Sequence, residues 1–251
     1  MLGLERRQKI MDLLHRDNKV YVSELARQFN VTEETIRRDL EKLEKQELLH
    51  RSYGGAILSK STGEDLSYNK RSSLNSESKQ SIASKAYDLI NDGDTIMVDS
   101  STTCQMLLQR LKGHRRITVI TNSIRLMNDF INSDFTMICT GGTLRTNSCS
   151  LTGSLTCAAL SHYFVDYALI SCKGLVRESG IMESNESESD VKRLMIQQAR
   201  HAILLVDHSK FDKPAFVQCD DFSHISYLVT DTPPDDKWQK FLADHHVRLI
   251  D

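Results

Sequence analysis

Residues 20–58 read VYVSELARQFNVTEETIRRDLEKLEKQELLHRSYGGAIL, and the spacing of apolar side chains here decides the fold of the N-terminal region. Val22, Leu25, Ala26 and Phe29 fall at i, i+3, i+4 and i+7, one face of a short helix. Asn30 stops that helix, because asparagine takes a left-handed backbone at little cost. Thr32 caps the next helix, and Glu33 and Glu34 occupy its first turn, where the helix dipole favours negative charge. Ile36, Leu40 and Leu43 make its inward stripe. Thr35, Arg38 and Lys42 then share the outward face, with Glu34, Arg37 and Glu41 beside them. Past Glu47 the pattern changes. Leu48 to Tyr53, Gly54-Gly55 and Ala56 to Leu58 read as a small hairpin or wing. Upstream, Leu4 to Arg16 reads as a first helix with Ile10, Leu13 and Leu14 on one face.

A short helix, a tight turn and a second helix with an exposed basic face are what a major-groove reader needs. Arginine can take O6 and N7 of a guanine together, and threonine can meet a thymine methyl or a phosphate. Ser23, Thr32, Thr35, Arg37, Arg38 and Lys42 are the residues expected at DNA. Charge gives this reading little help. Residues 1–60 hold twelve Lys/Arg against ten Asp/Glu, a net of +2, and the whole chain carries −2. On the pattern alone, a three-helix bundle with a solvated charged face stays open beside the DNA reading.

The rest of the composition excludes several classes. The 251 residues are 39% hydrophobic and 26% charged, ordinary for a globular protein with one large or two smaller domains. No apolar run reaches the roughly 18 residues of a membrane helix. The N-terminal MLGLERRQKIMDLLHRDNK is charged throughout, without the apolar core of a signal peptide. Cys104, Cys139, Cys149, Cys157, Cys172 and Cys219 form no C-x-x-C pair and no zinc spacing. The expectation is free buried thiols in a reducing cytoplasm, with no metal and no cofactor.

Residues 59–78, SKSTGEDLSYNKRSSLNSES, are serine-rich and read as a linker, with Leu66 and Tyr68 available to dock on a neighbour. The expected domains are therefore 1–58, a linker 59–78, and 79–251. From Lys79 helices alternate with short apolar strands at Thr95–Asp99, Ile117–Thr121, Phe135–Thr140, Tyr167–Ser171, Ala202–Asp207, Tyr227–Thr230 and Val247–Ile250. That alternation predicts a mostly parallel sheet covered by helices on both faces. Ligands of such sheets bind beyond the carboxyl ends of the strands. Three of those ends are rich in small polar residues: Asp99-Ser100-Ser101-Thr102-Thr103, Thr121-Asn122-Ser123, and Thr140-Gly141-Gly142 followed by Arg145. Hydroxyls and free amides at a helix start suit an anion, glycines admit a close backbone approach, and an arginine can clamp a phosphate. Lys173 and Lys210 follow two later strands. Glu188, at a helix start, is a further charged candidate for the ligand, and with Lys192 four residues on the alternative is a surface ion pair of small worth.

The segment 20–58, above all Thr35-Ile36-Arg37-Arg38-Asp39-Leu40 followed by Gly54-Gly55-Ala56, resembles the N-terminal module of the DeoR family of transcription regulators. The resemblance implies a winged helix-turn-helix in which Thr35, Arg37 and Arg38 belong to the recognition helix and Asp39 anchors it. It continues through the second domain, at Thr121-Asn122-Ser123, Gly141-Gly142, Asp207-His208-Ser209-Lys210 and Glu188 ahead of Val191-Lys192-Arg193. Where the family pattern is Asp-Ser-Gly-Thr-Thr, this chain has Ser101 for the glycine. The resemblance implies an α/β effector domain similar in fold to ribose-5-phosphate isomerase, a phosphorylated-sugar effector, a double-stranded DNA operator and a homo-oligomer. Two other readings compete with a ligand-responsive repressor. One is a sugar-phosphate isomerase or transferase using Asp99, Glu188, Lys173 and Lys210. The other is a DNA-binding protein whose α/β domain only oligomerises.

Overall fold

The computed structural model describes residues 3–17, 19–45, 48–52, 54–57 and 66–251. Two compact units divide the chain, Met1–Glu64 and Asp65–Asp251.

In the first unit, α1 (Gly3–Asp17), β1 (Lys19–Tyr21), α2 (Val22–Phe29) and α3 (Glu33–Lys45) precede β2 (His50–Ser52) and β3 (Gly55–Ile57). Ile10, Leu14, Leu25, Ile36, Leu40, Leu43 and Leu49 are buried together, so the inward stripes of the three helices meet as their spacing predicts. Asn30 does adopt the left-handed conformation, φ 51° and ψ 51°, and its amide closes α2 onto the carbonyls of Ala26 and Arg27. The wing has three strands, not the two of a hairpin. β3 pairs antiparallel with both β2 and β1. Gly55 is needed there, because a Cβ would stand 2.1 Å from the Val20 carbonyl oxygen. Tyr53 and Leu58, expected at the ends of the wing strands, lie outside the described residues.

The second unit opens earlier than the linker reading allows. α4 (Tyr68–Ser73) and α5 (Ser76–Ala86) lie where serine-rich linker was expected. Residues 59–65 lie outside the described residues. Tyr68 anchors α4. It is buried, its hydroxyl donates to Gln105, and its amide bonds the Asn147 carbonyl. A linker composition thus conceals a docked helix, because one buried aromatic outweighs the polar residues around it.

Beyond α5 the chain runs β4 (Thr95–Val98), α6 (Thr102–Arg110), β5 (Thr118–Thr121), α7 (Ile124–Asp129), β6 (Thr136–Cys139), β7 (Thr143–Arg145), β8 (Ser150–Thr152), α8 (Ser154–Leu160) and β9 (Val165–Ile170). It continues through β10 (Gly174–Val176), β11 (Gly180–Glu183), α9 (Glu186–Gln197), β12 (Ala199–Leu205), β13 (Val217–Asp220), β14 (Ile225–Val229), α10 (Asp236–Asp244) and β15 (Arg248–Ile250). Seven of these strands form one parallel sheet in the order β15-β14-β12-β9-β4-β5-β6. Alternate side chains feed opposite cores. Met97, Ala202 and Leu204 pack with Val191, Met195 and Trp238 on one face. Ile96, Val98, Ile203 and Leu205 pack with Ile82, Leu107 and Phe130 on the other. Burial on both faces explains why these strands read as continuous apolar runs.

The chain leaves β4 towards β5 and β6, then returns to β9 on the other side of β4 and moves away through β12, β14 and β15. The switch point of the sheet therefore lies between β4 and β9, where open α/β sheets present their crevice. A three-stranded antiparallel layer, β10-β11-β13, and the β7–β8 hairpin complete the unit. The six cysteines are free, as expected, but only Cys104, Cys172 and Cys219 are buried. Cys139 is exposed on the edge strand β6, and Cys149 and Cys157 are half-buried.

Candidate functional site

The outward face of α3 is polar and exposed. Thr32 accepts the Thr35 amide at 3.2 Å, the N-cap bond, and its hydroxyl shares a 2.9 Å hydrogen bond with that of Thr35. Ser23, Thr32, Arg37, Arg38 and Lys42 are exposed and Thr35 is half-buried. Arg37 pairs with Glu33 at 2.8 Å and Arg38 with Glu34 at 3.2 Å, one helical turn away. Arg38 and Glu34 are 74% and 62% exposed, so their pair is worth only a few tenths of a kcal/mol and releases the guanidinium readily. Asp39, on the opposite side of the same helix, is buried. It accepts from Arg6 Nε at 2.5 Å and Arg7 Nη1 at 3.2 Å, which staples α3 to α1. The string Arg37-Arg38-Asp39 thus splits its work between two exposed cations and one buried anchor.

At the switch point the loop after β4 is ordered from within. Asp99 Oδ1 accepts the Ser101 amide at 2.9 Å, and Oδ2 accepts the Ser171 amide at 3.0 Å across the gap to β9. Lys192, from α9, stands 3.3 Å from Asp99 Oδ2, donates to the Ser171 carbonyl at 2.8 Å and pairs with Glu183. Burial pushes this ammonium down, but Glu183 and Asp99 outweigh it and hold the group well above the usual lysine range. Ser100, Ser101, Thr102 and Thr103 are buried in the same loop. Ser101 caps α6 by accepting the Cys104 amide at 3.1 Å, with φ −77°. That extended backbone suits any residue, so the serine takes the place of glycine without strain. The amides of Thr102 and Thr103, in the first turn of α6, have no acceptor within the helix.

The next loop repeats the scheme. Thr121 donates to the Val98 carbonyl at 2.6 Å and accepts the Ser123 amide at 3.1 Å, while Ser123 caps α7 at the Leu126 amide. Asn122 Nδ2 donates to the Leu151 carbonyl at 2.9 Å, and among the described residues its buried Oδ1 has no partner. Glu188 is buried under the β7–β8 hairpin, where Ser148 and Ser150 donate to it and Arg145 Nε lies at 3.4 Å. The alternative of a Glu188–Lys192 surface pair does not describe either residue. Both are buried, and each has its own tertiary partners.

The strand ends are not all within one ligand's reach. Adjacent strands lie about 4.8 Å apart, so the ends of β6 and β12, four steps apart in the sheet, are separated by roughly 19 Å. Gly141 and Gly142 belong to the far end. At φ 121°, a Cβ on Gly142 would stand 2.0 Å from Thr156 Oγ1, so this glycine serves the packing of α8. Lys173, half-buried, follows β9, and Lys210, half-buried, closes a 3₁₀ turn after β12 that Asp207 caps by accepting the Ser209 amide at 3.0 Å.

Residues 74–232 match the DeoR C terminal sensor domain, and residues 6–62 match the DeoR-like helix-turn-helix domain. This chain belongs to the DeoR family. It is a DNA-binding transcription regulator. The uncharacterized HTH-type transcriptional regulator YulB of Bacillus subtilis is 37% identical over 99% of this chain and 96% of its own length. The glycerol-3-phosphate regulon repressor of Escherichia coli is 32% identical over 99% of both chains. Among solved structures, ribose 5-phosphate isomerase A of Methanocaldococcus jannaschii aligns over 55% of this chain and 56% of its own, at 17% identity and a TM-score of 0.42. No described helix of the regulator is long and apolar enough to cross a membrane.

Sequence reasoning left three charged residues around the regulator's crevice out of its ligand-binding set, Lys192 among them although its spacing from Glu188 was noted. Lys192 and Glu183 complete the Asp99 network, and Lys79 is buried on α5. The Lys192 signal was its position one turn past Glu188 on a helix that faces the strand ends. Nothing in the sequence around Glu183 or Lys79 singles them out.

Proposed function

We propose that this regulator represses a carbohydrate-catabolism operon and that a phosphorylated sugar, bound at the switch-point loops, changes its affinity for the operator. The observation that carries the reading is the pairing of two surfaces in one chain. One is a recognition helix with four exposed or half-exposed polar residues. The other is a crevice whose loop of four hydroxyl residues, Ser100 to Thr103, opens a helix after β4, with Lys210 after β12 two strands away. The names of relatives support it: one is a glycerol-3-phosphate regulon repressor and another is the repressor GlcR of Bacillus subtilis. Asp99, Ser100, Ser101, Thr102, Thr103, Lys173 and Lys210 make the near part of the site. Thr121, Asn122, Ser123, Arg145 and Glu188 make its wall under the hairpin. The enzyme reading fares worse because both oxygens of Asp99 are engaged, Oδ1 by the Ser101 amide and Oδ2 by the Ser171 amide and Lys192, while Ser148, Ser150 and Arg145 all crowd Oε1 of Glu188. A general acid or base needs an oxygen free to reach substrate.

Thermal shift against a panel of sugar phosphates, followed by a turnover assay of each hit, tests this. Stabilisation without turnover is the expected result. Turnover would revive the isomerase, and no hit would leave the α/β unit as an assembly module.

Arg38→Ala is expected to cost about 1–3 kcal/mol of operator affinity while leaving sugar-phosphate binding intact. A gel-shift titration at fixed salt that shows unchanged affinity removes Arg38 as a base reader. Lys210→Ala and Thr102→Ala should each weaken the effector, Lys210→Ala by roughly 1.5–3 kcal/mol for a lost charge-assisted contact. Neither should change operator affinity without effector. Calorimetry of both variants decides, and wild-type binding by both would move the phosphate elsewhere.

The regulator acts in the cytoplasm, where its operator is, and as a homo-oligomer joined through the α/β unit. Helix-turn-helix dimers read half-sites about one helical turn apart, and Leu144, Leu155 and Ile131 are exposed on this unit. Residues 65–251 expressed alone should remain oligomeric in light scattering. A monomer at micromolar concentration contradicts this.

A further inference from the structure

The segment that leads out of the DNA-binding unit ends in a cluster of cations over the effector crevice. Lys79, on α5, is 5% exposed, and its ammonium donates to the carbonyls of Arg71 and Leu74 at the end of α4. The Arg71 carbonyl also accepts the Thr102 hydroxyl at 3.4 Å. Two donors on one oxygen lie within a few ångströms of each other, so Lys79 stands at the start of α6. Asn75, between α4 and α5, donates to Asp207 Oδ1 at 3.2 Å and to Ser209 Oγ at 3.3 Å. The segment is thus tied to two strand ends, β4 and β12.

The charged groups facing Lys79 are Lys210 and Asp207 from the loop after β12, and Arg71 from α4. Three cations meet one carboxylate. Asp207 Oδ1 is already taken by the Ser209 amide, the Ser209 hydroxyl and Asn75. Burying a lysine beside a second lysine is costly unless an anion joins them. Burial, then Lys210, pushes the Lys79 ammonium down to about 8.

We infer that Lys79 and Lys210 together bind the anionic group of the effector, with Lys79 exchanging one of its two carbonyl partners for a phosphate oxygen. This rests on the phosphorylated-sugar reading above and adds to it a ligand-binding residue outside the strand-end loops. It also supplies a route for the response. An anion that draws Lys79 from one of these carbonyls, of Arg71 or Leu74, loosens the end of α4, the described helix nearest in sequence to the DNA-binding unit.

The full-length protein titrated calorimetrically with inorganic phosphate tests this, at constant ionic strength and in two buffers of different ionisation enthalpy. At about pH 9 phosphate is a dianion, whereas Lys79, with an ordinary lysine value near 10.4 brought down to about 8, is mostly neutral in the free protein. An arriving dianion favours its charged form, so wild type should take up a fraction of a proton. Its affinity should fall as pH rises from about 7 to about 9. Lys79→Met should lose the uptake and bind phosphate at least about tenfold more weakly. Lys79→Arg keeps the charge but holds its proton throughout, so it should bind phosphate without proton uptake. It carries the test even where the methionine variant fails to fold. No phosphate binding, no uptake in wild type, or the same uptake in Lys79→Arg overturns the assignment. If sugar phosphates bind wild type and the Lys79 variants alike, the effector reading stands and Lys79 falls. If inorganic phosphate behaves as expected but no sugar phosphate binds, the subsite stands and the sugar falls.

Discussion

Lys192→Met is expected to destabilise the α/β unit by about 3–5 kcal/mol and to lower its melting temperature by on the order of 10 °C. Lys192 is the cation between two buried carboxylates, Asp99 and Glu183, and its third contact is the Ser171 carbonyl. Methionine fills much of the same volume, so the loss is electrostatic and not a cavity. Two carboxylates would be left in a poorly solvated site with their shared partner gone. The deficit should narrow in acid, where a carboxylate stripped of its cation takes up a proton. Melting curves of wild type and variant at about pH 7 and about pH 5 measure both effects. A variant that melts with wild type at neutral pH would mean that Asp99 holds the switch point through the Ser101 and Ser171 amides alone.

Asp39→Ala is expected to remove about 3 kcal/mol from the smaller unit and, with it, most operator binding. Asp39 is the acceptor for both Arg6 and Arg7, and truncating it leaves two guanidinium groups at the α1–α3 junction without their carboxylate. A module of this size buries little surface, so a loss of that magnitude is a large share of its stability. The effect differs in kind from Arg38→Ala, which should spare the fold. Circular dichroism and gel shift on the same samples separate them. Operator binding lost by Asp39→Ala with the helical signal and melting unchanged would make Asp39 a DNA contact and not an anchor.

The parts legible in the sequence are those where one local rule operates. The stripes of α2 and α3 and the left-handed stop at Asn30 follow from helical periodicity and a single residue's backbone freedom. The strands of the parallel sheet are visible because both their faces are buried. The β10-β11-β13 layer and the β7–β8 hairpin were illegible. Their strands are three or four residues long, and Gly174 and Gly180 are required by contacts with distant backbone at Lys213 and Asp220. In the site, the strand-end loops were readable from their small polar residues, but their bonding was not. Glu188 and Lys192 share a helix face, yet the hairpin and β11 give them different partners. Lys79 was hidden for the same reason, whereas Tyr68 docks on a neighbour as the sequence allowed. Their burial comes from packing of α4 and α5 on the α/β unit, while the residues around them have the composition of a linker.

The most direct test of a sugar-phosphate-responsive regulator is operator affinity measured by calorimetry with and without the best-binding sugar phosphate, together with the reverse titration. The account predicts that the sugar phosphate changes operator affinity several-fold, and that operator changes sugar-phosphate affinity by the same factor, since coupling between two sites is reciprocal. Operator affinity that stays constant when the sugar phosphate is saturating would contradict it.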